Sequence, residues 1–239
     1  MIFYRCITKI RAISFDLDDT LYDNHPFMIK SEKKLLEFIQ SNFPATAEKD
    51  IHYWRSCRAE VIKKKPELIS DMGKLRSQTL RMGFYKCGYT GLDLTCAVDQ
   101  SFEYFYYQRS NFKVDKAICS LLSELAAKLP LVAITNGNVN LQQIGIHDYF
   151  ETCYHANVNH PMKPDRSMFD LARGHLALPA KQILHVGDNL EKDVMGAKQA
   201  GFSSAWWACN RPMDLRQEST TVLPDVTLES LEELLTLVL

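Results

Sequence analysis

Residues 10–23 read Ile-Arg-Ala-Ile-Ser-Phe-Asp-Leu-Asp-Asp-Thr-Leu-Tyr-Asp, an apolar run that ends in a group of carboxylates. Such a run predicts a strand that delivers acids to the edge of a sheet. Because side chains alternate along a strand, we expect Asp16 and Asp18 on one side and Leu17 on the other. Two adjacent carboxylates repel each other unless a cation lies between them, which indicates a divalent metal, Mg²⁺ foremost. The alternative for this segment alone is a solvated, Asp-rich turn.

The composition is that of an ordinary globular enzyme, and it argues against several classes of function. The chain has 239 residues, of which 46% are hydrophobic and 24% are charged, and its net charge is −1. A charge this close to zero gives no reason to expect a nucleic acid or a membrane surface as a partner. The seven cysteines form no Cys-x-x-Cys pair, and residues 1–11 carry three basic residues and no clean apolar core of a signal peptide. We therefore expect a soluble protein of the cytoplasm.

Two patterns divide the chain. Residues 24–111 show helical periodicity and almost no strand signal. From about residue 113 onward, apolar runs that suit buried strands alternate with helical patterns. The predicted strands are Ile10–Asp16, Leu131–Thr135, Ile183–Gly187 and Ser204–Trp207, and the predicted helices of the second part are Asp115–Leu129, Met168–Ala177 and Lys192–Ala200.

This alternation predicts an α/β fold in which right-handed crossovers build a doubly wound parallel sheet with helices on both faces. The first strand joins that sheet, so the helical block is an insertion. We expect a core domain of residues 1–22 and 112–239 and a helical domain of residues 23–111. Trp206 and Trp207 are expected to follow the last strand and to cover the edge of the sheet.

Polar residues follow three of the predicted strands. Residues 135–137 are Thr-Asn-Gly, Asp188 follows the strand that ends at Gly187, and Asp193 comes about one helical turn later. Lys163 lies between these two strands, in a Met-Lys-Pro-Asp loop that the proline keeps out of helix. Each signal alone also suits a turn, an exposed loop or a helix cap. Four of them in one order favour a shared site at the carboxyl ends of the strands.

On these motifs the chain resembles the haloacid-dehalogenase-like hydrolases. That family carries Asp-x-Asp-x-Thr, a strand ending in Thr or Ser, a single Lys, and Gly-Asp with a further Asp, and residues 15–193 match all four in order. The resemblance implies a Rossmann-like core, and the helical block resembles the family's C1-type cap. Along nearly its whole length the chain is similar to the YigB-type branch. That branch acts on flavin mononucleotide (FMN) and on 5-amino-6-(5-phosphoribitylamino)uracil, an intermediate of riboflavin synthesis.

The resemblance implies a role for each acid. Asp16 would be the nucleophile that forms an aspartyl-phosphate, and Asp18 would be the general acid and base. Mg²⁺ would be held by Asp16, by the backbone carbonyl of Asp18 and by Asp188, with Asp193 in support. The acid at position 18 favours phosphoryl transfer, because the dehalogenases that name the family lack it and need no metal.

The other motif residues are expected to bind the phosphoryl group of a small-molecule ester. They are Thr135, Asn136, Gly137 and Lys163, which offer a hydroxyl, backbone N–H groups and an ammonium. Asn189 stands where close relatives often carry Asp, which we expect to alter metal affinity without abolishing it.

Two alternatives to a flavin-pathway phosphatase stay open from the sequence. One is a phosphatase of the same fold with broad activity on sugar phosphates or nucleotides. The other is a regulatory protein that binds a phosphate ligand without turnover. The aromatic run at residues 102–107 is available for packing within the helical domain or for stacking on a flavin or pyrimidine ring. The sequence predicts no particular oligomeric state.

Overall fold

The structure is a computed structural model that describes residues 1–218 and 222–238. The described residues form one sheet of seven strands. The strands are β1 (Ile2–Phe3), β2 (Ala12–Phe15), β3 (Leu131–Thr135), β4 (Thr152–His155), β5 (Ile183–Gly187), β6 (Ser203–Trp206) and β7 (Val226–Thr227). Their spatial order is β1-β7-β6-β5-β2-β3-β4, and the pairs are parallel except the antiparallel pair of β1 with β7.

The helices are α1 (His25–Asn42), α2 (Ile51–Lys64), α3 (Met72–Lys86), α4 (Gly91–Arg109), α5 (Lys116–Ala126), α6 (Leu141–Ile144), α7 (Ser167–Leu176), α8 (Gly196–Gln199) and α9 (Leu234–Leu237). Helices α1–α4 follow one another along the chain, and the other helices alternate with the strands. A π-helical segment, Leu190–Met195, leads directly into α8. This order of elements confirms the predicted α/β fold with its doubly wound, mostly parallel sheet. None of the helices among the described residues is both long and apolar enough to cross a bilayer.

The chain forms two compact units. The first comprises residues 1–24, 113–137 and 145–239 and contains the sheet, and the second comprises residues 25–112 and 138–144. The second unit therefore includes α6 as well as α1–α4. Two hydrogen bonds explain this, because the Asn140 backbone N–H donates to Ser110 Oγ at 2.9 Å and Gln143 Nε2 donates to the Tyr107 carbonyl at 2.9 Å. We call the second unit the helical unit.

The helical unit has an aromatic core of its own. Phe43, Trp54, Phe84 and Phe105 are all buried in one cluster. Gly83 permits close packing of α2 and α3, because a Cβ at that position would overlap the ring of Trp54. The aromatic run on α4 thus contributes at least Phe105 to packing.

The central strand β2 lies between β3 and β5. Phe15 is the register partner of Ala133 on β3 and of Val186 on β5. All residues of β2 are buried, as expected for a continuous apolar run in a parallel sheet covered on both faces. Because parallel strands end at the same edge, the residues after β2 and β5, Asp16 and Asp188, emerge side by side.

The expectation for the tryptophans was wrong in part. Trp206 is the last residue of β6 and is fully buried, and its strand is followed in the sheet by β7 and β1, so it covers no edge. Both of those strands contain two residues each, which is too short to leave an alternating pattern in the sequence. Trp207 does follow β6, and its Nε1–H donates to the Thr20 carbonyl at 3.2 Å.

Candidate active site

Three buried carboxylates meet at the carboxyl edge of the sheet. Asp16 follows β2, Asp188 follows β5, and Asp193 lies in the π-helical segment. One oxygen from each lies within 4.8 Å of the others. The Asp16 backbone N–H donates to the Val186 carbonyl at 2.9 Å, which extends the β2–β5 ladder up to the site. The structure thus brings together three of the four acids that the sequence analysis assigned to a metal.

Lys163 joins two of these carboxylates, Asp16 and Asp193. Its buried Nζ donates to Asp16 Oδ1 at 2.7 Å and to the Ile134 carbonyl at 2.7 Å, and it lies 2.6 Å from Asp193 Oδ1. Burial lowers the pKa of Lys163, but the two carboxylates outweigh burial and raise the pKa above its ordinary value. Lys163 is therefore an ammonium that joins the predicted nucleophile to a second acid.

The side chain of Asn136 fixes the loop that carries Lys163. Asn136 Oδ1 accepts from the Lys163 backbone N–H at 2.7 Å, and Asn136 Nδ2 donates to the Lys163 carbonyl at 3.1 Å. This reciprocal pair holds one backbone unit from both sides, much as a neighbouring strand would. Asn136 therefore positions Lys163, a role that the sequence analysis had not given it.

Asp193 is held by a buried histidine. His185 Nε2 lies 3.2 Å from Asp193 Oδ1, His185 Nδ1 lies 2.8 Å from Ser14 Oγ, and the Asn189 backbone N–H donates to Asp193 Oδ2 at 2.9 Å. Burial lowers the pKa of His185, so the imidazole is neutral. Burial raises the pKa of Asp193, but Lys163 and His185 outweigh burial and hold it below its ordinary value. Since an ionised carboxylate only accepts, Nε2 carries the proton and the Ser14 hydroxyl donates to Nδ1.

Gly187 makes room for Asp193. A Cβ at Gly187, the last residue of β5, would overlap the Asp193 carboxyl group. Asn189, where the sequence analysis noted a departure from close relatives, caps the π-helical segment instead of joining the carboxylates. Its Oδ1 accepts from the backbone N–H groups of Glu191 at 3.0 Å and Lys192 at 2.9 Å.

The Asp18 carboxylate lies apart from the three-carboxylate cluster, near the end of β3. Its Oδ1 accepts from the Tyr22 hydroxyl at 2.7 Å. A Cβ built on Gly137 would lie 2.6 Å from Asp18 Oδ2 and 3.4 Å from Thr135 Oγ1, so the glycine leaves space between them. The Gly137 backbone N–H donates to Thr135 Oγ1 at 3.0 Å, which leaves the hydroxyl proton of Thr135 to point elsewhere. The Asp18 carboxylate thus lies beside the Thr135–Gly137 turn.

Among the residues that the structure describes, the three carboxylates pair with two cationic side chains, Lys163 and Arg211, so acidic groups outnumber basic ones. Burial raises the pKa of Asp188 to about 6, with Asp193 adding to the effect and Arg211 opposing it. Burial also raises the pKa of Asp16, against the opposing effect of Lys163. A compact set of buried carboxylate oxygens with uncompensated negative charge fits a hard divalent cation such as Mg²⁺.

Three residues that support this site escaped the sequence analysis. Ser14 and His185 look like polar interruptions of apolar strands, but they are register partners on β2 and β5, and together they support Asp193. Only the strand register could have paired them. Arg211 lies 23 residues after Asp188, in an irregular segment that carries no recognisable motif.

Comparisons with known proteins agree with this geometry. A family model described as haloacid dehalogenase-like hydrolase matches residues 10–201. The 5-amino-6-(5-phospho-D-ribitylamino)uracil phosphatase YigB of Escherichia coli (strain K12) is 33% identical over 238 residues, which cover 100% of both chains. A glyceraldehyde 3-phosphate phosphatase of Methanocaldococcus jannaschii is 26% identical over 96% of this chain and 97% of its own. The solved structure of a 2-haloacid dehalogenase from Pseudomonas syringae pv. Tomato DC3000 has a TM-score of 0.88 at 27% identity, with 95% and 97% of the two chains covered.

The chain belongs to the haloacid dehalogenase-like hydrolases. Within that family it is a phosphatase, in line with its full-length curated relatives.

Proposed function

We propose that this phosphatase is a Mg²⁺-dependent phosphomonoesterase that acts through an aspartyl-phosphate on Asp16. The observation that carries the proposal is the buried contact of Asp16 with Lys163, beside two further carboxylates at the end of the central strand. FMN or 5-amino-6-(5-phosphoribitylamino)uracil is the proposed substrate, supported by the 33% identity to the Escherichia coli enzyme over its full length.

The proposed metal ligands are the carboxylates of Asp16 and Asp188 and the backbone carbonyl of Asp18, with Asp193 in support. When bound, Mg²⁺ supplies the positive charge that lets an anionic carboxylate approach an anionic phosphate ester. Asp193 bonds to both Lys163 and His185, so its main part is to orient Lys163.

The chain's own residues carry the two chemical steps. An oxygen of Asp16 attacks phosphorus, the bond from phosphorus to the ester oxygen breaks, and Asp18 gives its proton to the leaving alcohol. Asp18 then takes a proton from a water molecule that attacks the phosphorus of the aspartyl-phosphate. Inorganic phosphate leaves and the carboxylate of Asp16 is regenerated. The Tyr22 hydroxyl donates to Asp18 Oδ1, and Asp18 Oδ2 lies on the side of Gly137.

The phosphoryl oxygens are the proposed partners of Lys163, Thr135 and the backbone at Asn136 and Gly137. Thr135 is suited to this role because its Oγ1 already accepts one hydrogen bond and its O–H remains a donor. The three N–H donors of Lys163 are engaged by Asp16, Asp193 and the Ile134 carbonyl, so one of them turns to the phosphoryl group while the bond to Asp16 stays. In this proposal residues 1–22 and 112–239 form the catalytic core and residues 23–111 form a C1-type cap that selects the substrate.

Phosphate release from a panel of esters tests the proposal. The panel contains FMN, the ribitylamino-uracil phosphate, glyceraldehyde 3-phosphate and a pyrimidine nucleoside monophosphate, and halide release from 2-chloropropionate is followed in parallel. We expect Mg²⁺-dependent phosphate release, highest with the two riboflavin-pathway esters and absent in Asp16→Asn or with EDTA. Asp148→Asn is the matched control, because that carboxylate is 98% exposed.

Each other outcome of the panel has a definite meaning. Activity spread evenly over sugar and nucleotide phosphates would keep the mechanism and overturn the substrate. Halide release without phosphate release would overturn the reaction. Binding of phosphate esters without any turnover would favour the regulatory alternative.

A further inference from the structure

Arg211 donates two hydrogen bonds to Asp188. Its Nη1 donates to Asp188 Oδ2 at 2.8 Å, and its Nη2 donates to the Asp188 carbonyl at 2.7 Å. The carbonyl also accepts from Trp206 Nε1 at 2.7 Å. The side chain and the backbone of one proposed metal ligand are therefore clamped by the same guanidinium. Arg211 lies beyond the matched family region, which ends at residue 201.

Arg211 is itself held in place. Its Nε donates to Glu218 Oε1 at 3.1 Å, so all three guanidinium nitrogens are engaged. The planar fork of arginine loses little further freedom once it is fixed in this way, which makes it a better template than a lysine. The Arg211 side chain is therefore held in one orientation by three hydrogen bonds.

The segment around Arg211 also reaches the loop that follows the predicted nucleophile. The Cys209 backbone N–H donates to the Asp19 carbonyl at 2.9 Å, and Trp207 Nε1 donates to the Thr20 carbonyl at 3.2 Å. Residues 207–218, which we call the strap segment, thus join the Asp16–Thr20 loop to Asp188. Both loops supply proposed metal ligands.

The contact of Arg211 with Asp188 differs from a bidentate arginine–carboxylate pair. In a bidentate pair the guanidinium takes both oxygens of the carboxylate in a parallel fork. Arg211 instead takes Oδ2 and the backbone carbonyl of Asp188, so it binds one carboxylate oxygen and one main-chain oxygen of the same residue. The contact fixes the rotation of the carboxylate about its own axis.

We propose that Arg211 is a positioning residue for the metal site, which fixes the orientation of the Asp188 carboxylate beside Asp16 and Asp193 and so strengthens binding of a divalent cation. The inference rests on the Mg²⁺-dependent function proposed above. Groups that orient a metal ligand from outside the coordination sphere typically change metal affinity by about 10–100-fold when removed. That range sets the effect expected for Arg211.

Calorimetric titration of the full-length protein with Mg²⁺ alone tests this role. Arg211→Met should weaken Mg²⁺ binding by about 10–100-fold, and Arg211→Lys, which keeps one of the two contacts, should lie in between. Arg216→Gln is the matched control, because Arg216 lies in the same strap segment and pairs with Asp214 at 2.9 Å while being 89% exposed. It should bind Mg²⁺ like the unchanged protein. Phosphatase activity of Arg211→Met should recover at high Mg²⁺, since the defect lies in affinity.

The remaining outcomes overturn the inference in recognisable ways. If Arg211→Met keeps its Mg²⁺ affinity but has a lower melting temperature in EDTA, Arg211 stabilises the fold and does not contribute to metal binding. Tighter Mg²⁺ binding in Arg211→Met would make it a competitor of the cation. Absence of Mg²⁺ binding by the unchanged protein would overturn the proposed function along with this inference.

Discussion

Replacing Lys163 with Met should destabilise the metal-free protein severely. The substitution keeps an apolar side chain of similar length but removes the ammonium that contacts Asp16, Asp193 and the Ile134 carbonyl. The Lys163 side chain is 1% exposed, so water cannot take over these contacts. Two buried carboxylates would then lack the counter-charge that the folded chain provides.

The expected loss follows from the burial of both partners. Removing one member of a buried ion pair costs about 3–5 kcal/mol, because the other charge stays in the interior without compensation. For a chain of this size each kcal/mol lowers the melting temperature by roughly 2–4 °C, so we expect a drop of about 6–20 °C. The volume change from Lys to Met is small, so a cavity contributes little to this figure.

Scanning calorimetry in EDTA measures the effect. The loss should be greatest toward about pH 8, where protonation relieves the least of the uncompensated negative charge. Burial raises the pKa of Asp16, and without Lys163 burial also dominates for Asp193, so the folded variant takes up protons as the pH falls. The gap between the variant and the unchanged protein should therefore narrow toward about pH 5.

A lysine in an exposed pair provides the control. Lys64 Nζ lies 2.8 Å from Glu60 Oε1, a distance similar to those at Lys163, but its side chain is 63% exposed. Lys64→Met should leave the melting temperature unchanged within error. A Lys163→Met protein that melts within about 2 °C of the unchanged protein at the higher pH, or a gap that widens on acidification, would refute the reasoning.

Three further substitutions probe separate parts of the site. Asp18→Asn should lower kcat by about 10²–10⁴-fold, measured by steady-state kinetics, because it removes the proposed general acid. Its Mg²⁺ affinity, measured by calorimetry, should be unchanged, because the Asp18 carboxylate lies outside the three-carboxylate cluster. Gly187→Ala should cost about 1–3 kcal/mol in urea unfolding and weaken Mg²⁺ binding, because the new methyl group would overlap Asp193. His185→Gln should flatten the pH dependence of stability. Burial lowers the pKa of His185 in the folded state, so the unfolded chain binds the extra proton and stability falls as the pH drops below about 6.5.

Each of these three predictions would be contradicted by a specific result. Full activity in Asp18→Asn would remove the general acid from the mechanism, and weaker Mg²⁺ binding there would place its side chain on the metal. An unaltered urea midpoint in Gly187→Ala would mean that Asp193 moves freely. Parallel stability curves of the unchanged and His185→Gln proteins between about pH 5 and 7.5 would mean that His185 titrates normally.

The central strands could be predicted because they are buried on both faces. Leu131–Thr135 and Ile183–Gly187 have the predicted bounds, since continuous apolar runs leave no ambiguity about where burial ends. The half-buried strand β4, Thr152–His155, left no such signal. The two-residue strands β1 and β7 were missed as well. β1 and β4 are the edge strands and β7 lies between β1 and β6, and all three are stabilised by pairing with neighbouring strands, which a sequence pattern does not reveal.

The acids of the site could be predicted from their order at the strand ends, since parallel strands deliver their carboxyl ends to one edge. The groups that support those acids could not. His185 and Ser14 depend on the register between β2 and β5. Arg211 depends on the path of the strap segment, which has no periodicity. Sequence patterns thus locate the proposed reacting groups, while the residues that support them become visible only in three dimensions.

The central claim is that Asp16 becomes phosphorylated during turnover. Rapid acid quench of the enzyme with its best ester, radiolabelled in the phosphoryl group, tests this most directly. Asp18→Asn slows breakdown of the phosphoenzyme and serves to accumulate it. The account predicts hydroxylamine-sensitive label on the peptide that contains Asp16, and none in Asp16→Asn. Turnover by the unchanged enzyme or by Asp18→Asn without label on the protein would contradict the account. Label on any residue other than Asp16 would contradict it as well.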